Sequence, residues 1–224
     1  MPTRDRREFV GRALQYFLRQ DYPNKELVVL DDGSDPVGDL MPGDPRVRYI
    51  RTGEPHVLGA KRNLACEEAR GPIIAHWDDD DWMGAGRLTY QVEQLLREEA
   101  QVCGLDRLHY FDPVSRRAWQ YVYDPTLGPP WVAGGTLCYT RACWLTHPFP
   151  ALGCEEDNQF VWSIPPDQLL VLPDSSFYVG LIHPGNASPK ETSHLHNWRP
   201  QSLDTVRELI GEDWALYEEA THGR

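Results

Sequence analysis

Hydrophobic residues in the first hundred positions form a repeating pattern of helical segments and short apolar runs. Three segments predict amphipathic helices, at residues 6–20, 58–70 and 86–99. Three short runs that are rich in β-branched or aliphatic residues predict buried strands, at residues 26–30, 46–51 and 73–77. Helices that alternate with strands in this way predict βαβ units and a parallel sheet.

The pattern changes beyond residue 100. Residues 109–111 and 118–123 flank a polar turn and predict a hairpin. Further segments predict strands at 135–140, 169–172 and 177–182, a short helix at 155–162 and an amphipathic helix at 202–220. No repeat or linker interrupts the chain. We therefore predict one α/β domain over residues 1–224, with an α/β front half of about 1–100, a mixed back half of about 101–200 and a C-terminal helix in 201–224.

Composition narrows the class of protein. The chain has 224 residues and a formal net charge of -12, which disfavours nucleic acid and anionic membranes as partners. Its five cysteines form no CxxC pair, so neither a disulfide framework nor a zinc site is indicated, and we expect reduced thiols. No segment is apolar enough for a membrane span, and the N-terminus lacks the apolar region of a signal peptide. We expect a cytoplasmic protein.

Four consecutive aspartates, at 78–81, follow the strand predicted at 73–77. In an extended chain, Asp78 and Asp80 would point to one side and Asp79 and Asp81 to the other. Two like charges about 4 Å apart repel by roughly 4 kcal/mol at an effective dielectric of about 20, so the cluster requires a cation. Asp79 or Asp81 alone would fit a solvated turn, but the set favours a divalent ion. Oxygen ligands indicate Mg²⁺ or Mn²⁺.

Five short motifs occur in a fixed order along the chain. They are PTRDR at 2–6, DYPNKELVVLDDGS at 21–34, GAKRN at 59–63, DDDD at 78–81 and ED at 156–157. Together they resemble the motifs of the family 2 glycosyltransferases, over residues 2 to about 188. The resemblance implies a GT-A-like, Rossmann-like fold: a mixed, mainly parallel sheet flanked by helices. It also implies a nucleotide-sugar-binding front half and a smaller acceptor-binding back half.

The first two motifs would form the nucleoside pocket. The resemblance implies that Asp31 or Asp32 accepts a hydrogen bond from a uracil ring and that Thr3 lines the same pocket. The pair follows a predicted strand, at the edge where parallel sheets bind ligands. An ordinary Asx turn is the alternative, and the choice between the two aspartates stays open.

Two cations near the start of the helix predicted at 58–70 oppose its dipole. Lys61 and Arg62 fall where carboxylates are favoured, which suggests that this helix end faces an anion. The alternative is an exposed helix that tolerates the cost. The resemblance places Arg62 beside the nucleotide.

Within the acidic segment, the resemblance makes Asp78 a ribose partner and Asp80 the metal ligand. The metal, Mn²⁺ or Mg²⁺, would neutralise the donor diphosphate. The flanking Trp77 and Trp82 are interpreted as packing residues.

The ED motif supplies the expected catalytic group. Carboxylates are common in the first turn of helices for electrostatic reasons alone. The resemblance implies that Asp157 is the general base that deprotonates the acceptor, with inversion at the anomeric carbon. Glu156 is then a candidate acceptor contact.

The remaining candidates are a third metal ligand and a sugar platform. His183 ends a predicted strand and resembles a metal-binding histidine of some relatives, and a nitrogen ligand would favour Mn²⁺. His194 and His196 are the alternatives, and a histidine with no ligand is a further one. Trp131 is a candidate apolar platform for a sugar ring, or a core residue.

The resemblance also implies a central first strand upstream of Pro2. Because Met1 precedes Pro2 directly, we expect either that the chain is a trimmed piece or that this strand is cut to a stub.

These observations predict an inverting, metal-dependent glycosyltransferase. Its donor would be a nucleotide-diphosphate sugar, most simply a UDP-sugar, and its acceptor an unidentified glycan, lipid, peptide or small molecule. A non-catalytic nucleotide- or glycan-binding domain is the main alternative, and a sugar nucleotidyltransferase is a weaker one because no Gly-rich phosphate loop occurs early in the chain. A membrane-peripheral location is compatible with this function.

Overall fold

The computed structural model describes residues 1–126, 128–193 and 196–218. The strands are β1 (Pro2–Thr3), β2 (Leu27–Asp31), β3 (Val47–Arg51), β4 (Ile73–Ala75), β5 (Trp82–Met83), β6 (Val102–Gly104), β7 (Arg107–Asp112), β8 (Arg117–Val122), β9 (Cys138–Thr140), β10 (Leu169–Val171), β11 (Tyr178–Leu181) and β12 (Trp198–Gln201). The helices are α1 (Arg7–Leu18), α2 (Leu58–Glu68), α3 (Arg87–Arg97), α4 (Arg141–Thr146), α5 (Glu156–Ser163), α6 (Leu203–Ile210) and α7 (Ala215–Glu218).

The front of the molecule is a parallel sheet in the order β1-β2-β3. Strand β2 is buried along its whole length, as expected for a continuous apolar run covered on both faces. Strand β1 is two residues long and pairs with β2, Pro2 with Leu30 and Thr3 with Asp31. The α-ammonium group of Met1 extends this pairing by donating a hydrogen bond to the Val28 carbonyl at 2.7 Å.

Two further sheets are mixed, in the orders β10-β6-β9-β4 and β12-β8-β7-β11-β5. Strand β7 pairs with β8 as the predicted hairpin and in parallel with β11. The acidic segment at 78–81 leaves β4 in one sheet and enters β5 in the other. The four aspartates therefore lie where the chain crosses between sheets, which brings both halves of the fold next to them.

The predicted packing residues lie in the core. Trp77 and Trp82 are buried, and their indole N–H groups donate to the Ala13 carbonyl and to Asp213, respectively. The cysteines are free thiols, and all but the exposed Cys154 are buried.

The predicted helices and strands of the front half agree with the structure to within two residues at each end. The long C-terminal helix was wrong as a single element. Gly211 has a φ of +61°, a left-handed value that favours glycine, and it ends α6. A 3₁₀ turn over Gly211–Trp214 then leads into α7. The predicted strand at 135–140 begins instead with a 3₁₀ turn over Gly134–Thr136.

Among the residues that the structure describes, no helix is both long enough and apolar enough to span a bilayer.

The hydroxyl of Thr136 helps to hold the 3₁₀ turn over Gly134–Thr136 in place. It accepts a hydrogen bond from the Leu105 backbone N–H at 2.9 Å and donates one to the Ala133 carbonyl at 2.8 Å, fully buried. We expect Thr136→Val to lower the free energy of unfolding by about 1–3 kcal/mol in urea denaturation, because the Leu105 N–H loses its partner. The exposed Thr146, which also bonds backbone carbonyls, provides the control. Thr146→Val should cost about 0.5 kcal/mol or less, and equal costs for the two variants would contradict this role of Thr136.

Candidate active site

A cavity of about 820 Å³ opens beside the acidic segment. Its walls come from the end of β1, the start of α2, the segment at 78–81, the loop at 133–135, the start of α5 and the loop after β11. Thr3, Arg62, Asp78, Asp80, Trp131, Glu156 and Asp157 all line it. The structure thus brings most of the sequence-predicted site residues to one cavity.

Two aspartates of the acidic segment share one arginine. Nη1 of Arg6 lies 2.9 Å from Asp79 Oδ1 and 2.8 Å from Asp80 Oδ2. Nη2 of the same guanidinium donates to the Gly185 carbonyl. The Asp80 carboxylate also contacts His183, whose Nε2 lies 3.0 Å from Oδ2. The cation required by the cluster is therefore supplied, in this structure, by the chain itself.

Two expectations about this segment were wrong. Asp79 and Asp81 are not solvated, since they are only 3% and 9% exposed. The side chains also do not alternate as in a strand, because the backbone bends at 79–81 and Arg6 contacts the adjacent residues Asp79 and Asp80. The bend lets the two adjacent carboxylates of Asp79 and Asp80 contact the same guanidinium, which strand alternation would not allow.

Asp81 is turned into the protein and connects the segment to β11. Its carboxylate accepts hydrogen bonds from the Leu181 backbone N–H at 2.9 Å and from the Tyr178 hydroxyl. Burial, followed by the negative charges of Asp80 and Asp78, raises the pKa of Asp81. Asp81 lines the cavity, but its two carboxylate oxygens are engaged by β11.

The DDGS motif has two differently placed aspartates, and neither carboxylate lines the cavity. Asp31 accepts hydrogen bonds from the backbone N–H groups of Gly33 and Val37 and from the Tyr49 hydroxyl, and so closes the turn. Asp32 is contacted by cavity-lining groups from other segments. The nucleoside roles of Asp31, Asp32 and Thr3 stay predictions.

Asp32 accepts from three donors that do line the cavity. Arg4 donates to it at 3.0 and 2.6 Å, the His56 backbone N–H at 2.8 Å, and Lys61 through its ammonium group. Burial opposes ionisation of Asp32, but these hydrogen bonds outweigh it and lower its pKa. Lys61 also donates to the Thr3 carbonyl at 2.7 Å and so ties α2 to β1.

Arg62 links the two halves of the cavity. Its Nε donates to Glu156 at 2.9 Å, and its Nη1 lies 3.6 Å from Asp78. Burial disfavours its charge, yet Asp78 and Glu156 together raise its pKa. The anions that the start of α2 was expected to face are thus carboxylates of the protein, among them Asp78 and Asp32.

Two glycines allow the candidate base to approach the acidic segment. A Cβ atom at Gly134 would lie 1.9 Å from Asp157 Oδ2, and one at Gly135 would lie 2.7 Å from Asp78 Oδ2. The carboxylates of Asp157 and Asp78 therefore lie against the same Gly-Gly loop. The sequence shows this pair of glycines, but not which side chains they admit.

Aromatic rings form the wall beyond Asp157. Trp131 donates to Asn158 Oδ1 at 2.6 Å, and its ring lies 5.7 Å from Tyr121. Tyr121 contacts Trp198 at 5.2 Å, and Trp198 contacts Tyr110 at 4.8 Å. The sequence pointed to Trp131 only, because the other three rings come from strands whose inward faces cannot be read from spacing alone.

The histidine candidates separate clearly. His183 contacts Asp80, as described above. His196 is exposed and pairs instead with Asp124 at 3.0 Å. Neither His183 nor His196 lines the cavity itself, so the contact of His183 with the cavity-lining Asp80 is what separates them. His194 lies outside the described residues. Arg4 and Arg6 also belong to the site, although the sequence analysis did not single them out. Their position inside the PTRDR motif is the signal that could have identified them.

The model of the family described as glycosyl transferase family 2 matches residues 1–151 of this chain. The chain belongs to glycosyl transferase family 2. Over 94 residues this glycosyltransferase is 37% identical to the putative colanic acid biosynthesis glycosyl transferase WcaA of Escherichia coli K12, a match that covers 40% of this chain and 34% of WcaA. It is 29% identical over 100 residues to the E. coli UDP-Glc:alpha-D-GlcNAc-diphosphoundecaprenol beta-1,3-glucosyltransferase WfgD, covering 43% and 40%. The matched segments thus span about a third to two-fifths of these relatives.

Solved structures share the fold of this family 2 glycosyltransferase. A fragment of S. aureus TarS in complex with UDP-GlcNAc superposes with a TM-score of 0.65 at 18% identity, over 83% of this chain and 58% of the fragment. The mannosyltransferase PcManGT from Pyrobaculum calidifontis, in complex with GDP-Man and Mn2+, gives 0.58 at 15% identity, over 99% and 67%. The predicted α/β, GT-A fold is therefore confirmed.

The donor atoms near Asp80 suit a divalent cation that retains outside ligands. Asp80 offers a carboxylate and His183 an imidazole nitrogen, 3.0 Å apart. No group of three acidic, histidine or cysteine side chains converges among the described residues to hold a metal by itself. Mg²⁺ and Mn²⁺ commonly take only one or two protein ligands beside substrate phosphates, so the pair fits such an ion.

The contacts around Asp32 predict unequal costs for its two cations. Lys61 is 5% exposed at its side chain and Arg4 is 43% exposed. We expect Lys61→Met to lower the free energy of unfolding by about 3 kcal/mol or more, because it leaves a buried carboxylate short of its buried partner. Arg4→Met should cost about 1 kcal/mol or less, since solvent screens that pair. Urea denaturation at neutral pH measures both, and a larger loss from Arg4→Met would contradict the assignment.

Proposed function

We propose that this family 2 glycosyltransferase moves a sugar from a nucleotide-diphosphate donor to an acceptor hydroxyl, with inversion at the anomeric carbon. The observation that carries the proposal is the position of Asp157 and Asp78 against the adjacent glycines Gly134 and Gly135, in one cavity with Asp80. A candidate base therefore faces a group suited to bind a donor. A UDP-sugar is the simplest donor, because the TarS fragment is described with UDP-GlcNAc and WfgD is named for UDP-Glc.

The donor end of the cavity would bind the nucleotide. Thr3 lines the cavity at the end of β1, and Arg62 lies across from it at the start of α2. Asp78, the most exposed of the Arg62 partners at 23% of its side chain, is the proposed ribose contact. Asp32 would contact the uracil ring either indirectly, through Arg4 and Lys61, or directly once these two side chains move away. Asp31 would support the turn.

Asp80 and His183 would hold Mn²⁺ or Mg²⁺. When bound there, such an ion supplies charge neutralisation to the leaving nucleotide diphosphate. The description of PcManGT with Mn2+ supports a metal in this fold, and the nitrogen of His183 favours Mn²⁺.

Asp157 would remove the proton from the acceptor hydroxyl as the oxygen attacks the anomeric carbon. One base on the acceptor side and one displacement give inversion. The Glu156 carboxylate accepts a hydrogen bond from Arg62, and Glu156 is proposed to position that arginine as well as to contact the acceptor. Trp131, fixed by Asn158, would present its ring to an acceptor sugar.

The names of two relatives suggest a class of acceptor to test. WfgD and a Campylobacter jejuni relative, 26% identical over 110 residues and covering 46% of this chain and 36% of the relative, are both named for undecaprenol-linked sugar acceptors. A lipid-linked sugar is therefore a reasonable acceptor to test, and it would favour a membrane-peripheral location.

One observation favours a second function, a non-catalytic nucleotide- or glycan-binding domain. The Asp80 carboxylate already has Arg6 and His183 as partners. If that arrangement were permanent, the domain would bind a nucleotide without turning it over.

Catalysis is tested with three aspartate variants. We expect the wild-type chain to release UDP from a UDP-sugar in a Mn²⁺-dependent manner, and Asp80→Ala to lose this activity. Asp157→Asn should lower kcat by about 10²–10⁴-fold with little change in donor binding, as expected for loss of a general base. The exposed Asp167, in the 3₁₀ turn before β10, is the control, and Asp167→Asn should keep full activity.

Calorimetry measures whether UDP and a panel of donor sugars bind, and the UDP-release assay measures whether the donors are turned over. Full turnover by Asp80→Ala, or in excess chelator, would contradict the metal-dependent mechanism. Binding of UDP with no turnover of any donor would favour the binding domain instead.

A further inference from the structure

Arg6 occupies an unusual position between the acidic segment and the loop after β11. It precedes the first turn of α1, and its side chain is 21% exposed while contacting two carboxylates that are 2% and 9% exposed. It lines the same cavity as Arg62 and Asp78. An arginine in a cavity that would receive a diphosphate is a candidate for a role beyond neutralising its neighbours.

The oxygen atom that Arg6 contacts on Asp80 is the one nearest the candidate metal ligand His183. Arg6 Nη1 lies 2.8 Å from Asp80 Oδ2, and His183 Nε2 lies 3.0 Å from the same atom. An Mg²⁺ ion binds oxygen at about 2.0–2.1 Å. A guanidinium and a divalent cation on one carboxylate oxygen would repel each other strongly, so both cannot keep this position.

The guanidinium has a better partner once a diphosphate is present. Arginine binds phosphate oxygens through two parallel N–H donors, in a geometry that a carboxylate pair also satisfies. Arg6 is the N-cap residue of α1, and its side chain makes no capping hydrogen bond to that helix. A rotation of Arg6 away from Asp80 would therefore exchange carboxylate contacts for phosphate contacts without unfolding α1.

We propose that Arg6 is a resident counter-ion of the metal position, which leaves Asp79 and Asp80 when the metal and nucleotide bind and then contacts the donor diphosphate. This inference rests on the proposed function, because it takes the metal to bind Asp80 and the donor to carry a diphosphate. Arg6 thereby has two binding roles: it compensates the empty acidic segment, and it adds affinity for the donor.

The neighbouring arginine provides a matched control. Arg7 pairs with Asp35 and Asp39 on the exposed surface, at 3.1 and 2.8 Å, and it does not line the cavity. Arg6→Gln and Arg7→Gln remove the same charge from adjacent positions. Only the first removes the competitor of the metal, so any difference between them reports the local role of Arg6.

The experiment measures Mn²⁺ binding by electron paramagnetic resonance of the free ion, without nucleotide, on the full chain. We expect Arg6→Gln to bind Mn²⁺ about tenfold more tightly than wild type, within the usual range of coupling between two ligands of one site. Arg7→Gln should match the wild type. UDP affinity in saturating Mn²⁺, measured by calorimetry, should fall about tenfold in Arg6→Gln because a phosphate contact is lost.

A third variant separates charge from geometry. Arg6→Lys keeps a cation that can compete with Mn²⁺, so its Mn²⁺ affinity should stay near that of wild type. Its single ammonium group lacks the paired donors, so its UDP affinity should fall as in Arg6→Gln. Mn²⁺ binding by Arg6→Gln that is equal to or weaker than wild type would overturn the proposal and leave Arg6 as a purely structural residue.

Thermal unfolding in chelator tests the role of Arg6 without metal or nucleotide, so its result does not depend on the proposed function. In chelator, Arg6→Gln should have a lower Tm than Arg7→Gln, because Asp79 and Asp80 lose their shared cation. Failure of wild-type chain to bind Mn²⁺ and UDP at all would overturn both the proposed function and the exchange. Normal wild-type binding with no difference between Arg6→Gln and Arg7→Gln would overturn the inference alone.

Discussion

The structure depends on how four adjacent carboxylates are compensated at the point where the chain crosses from one sheet to another. Three side chains contact the four aspartates at 78–81: Arg62 lies beside Asp78, Arg6 is shared by Asp79 and Asp80, and the Tyr178 hydroxyl donates to Asp81. The partners come from the N-terminus, from α2 and from β11. Because uncompensated charge in a buried position is costly, this segment can adopt its bend only when all three regions are in place.

That requirement explains why the cavity contains residues from both halves of the chain. Asp81 connects the segment to β11, and the same strand leads to His183 and Gly185. Arg62 connects the segment to Glu156 at the start of α5. The electrostatic compensation and the assembly of the candidate active site are therefore one set of interactions, so a change in one of these charges acts on stability and on the cavity together.

The sequence allowed most of the front half to be predicted, and less of the site. Residues 26–30 and 58–70 carry strong local patterns, and the structure follows them closely. Strands of two or three residues, such as β5 and β6, have no period to detect. The local sequence is compatible with solvent-exposed side chains at Asp79 and Asp81. It cannot show that Arg6, 73 positions from Asp79, and Tyr178, 97 positions from Asp81, contact them in the folded chain. The need for a cation was predictable from charge alone, but its identity in this structure required the tertiary fold.

The loop at 133–135 shows how the core supports one wall of the cavity. Arg87 is fully buried and donates to the Gly135 carbonyl at 3.0 Å and to the His76 carbonyl at 2.9 Å. His76 in turn contacts the Gly134 carbonyl through Nδ1 at 2.7 Å. These bonds hold the backbone carbonyls of both glycines from below, while Asp78 and Asp157 lie against the space that their missing side chains leave. The carboxylates of Asp78 and Asp157 thus lie against a backbone segment that buried core residues hold in place.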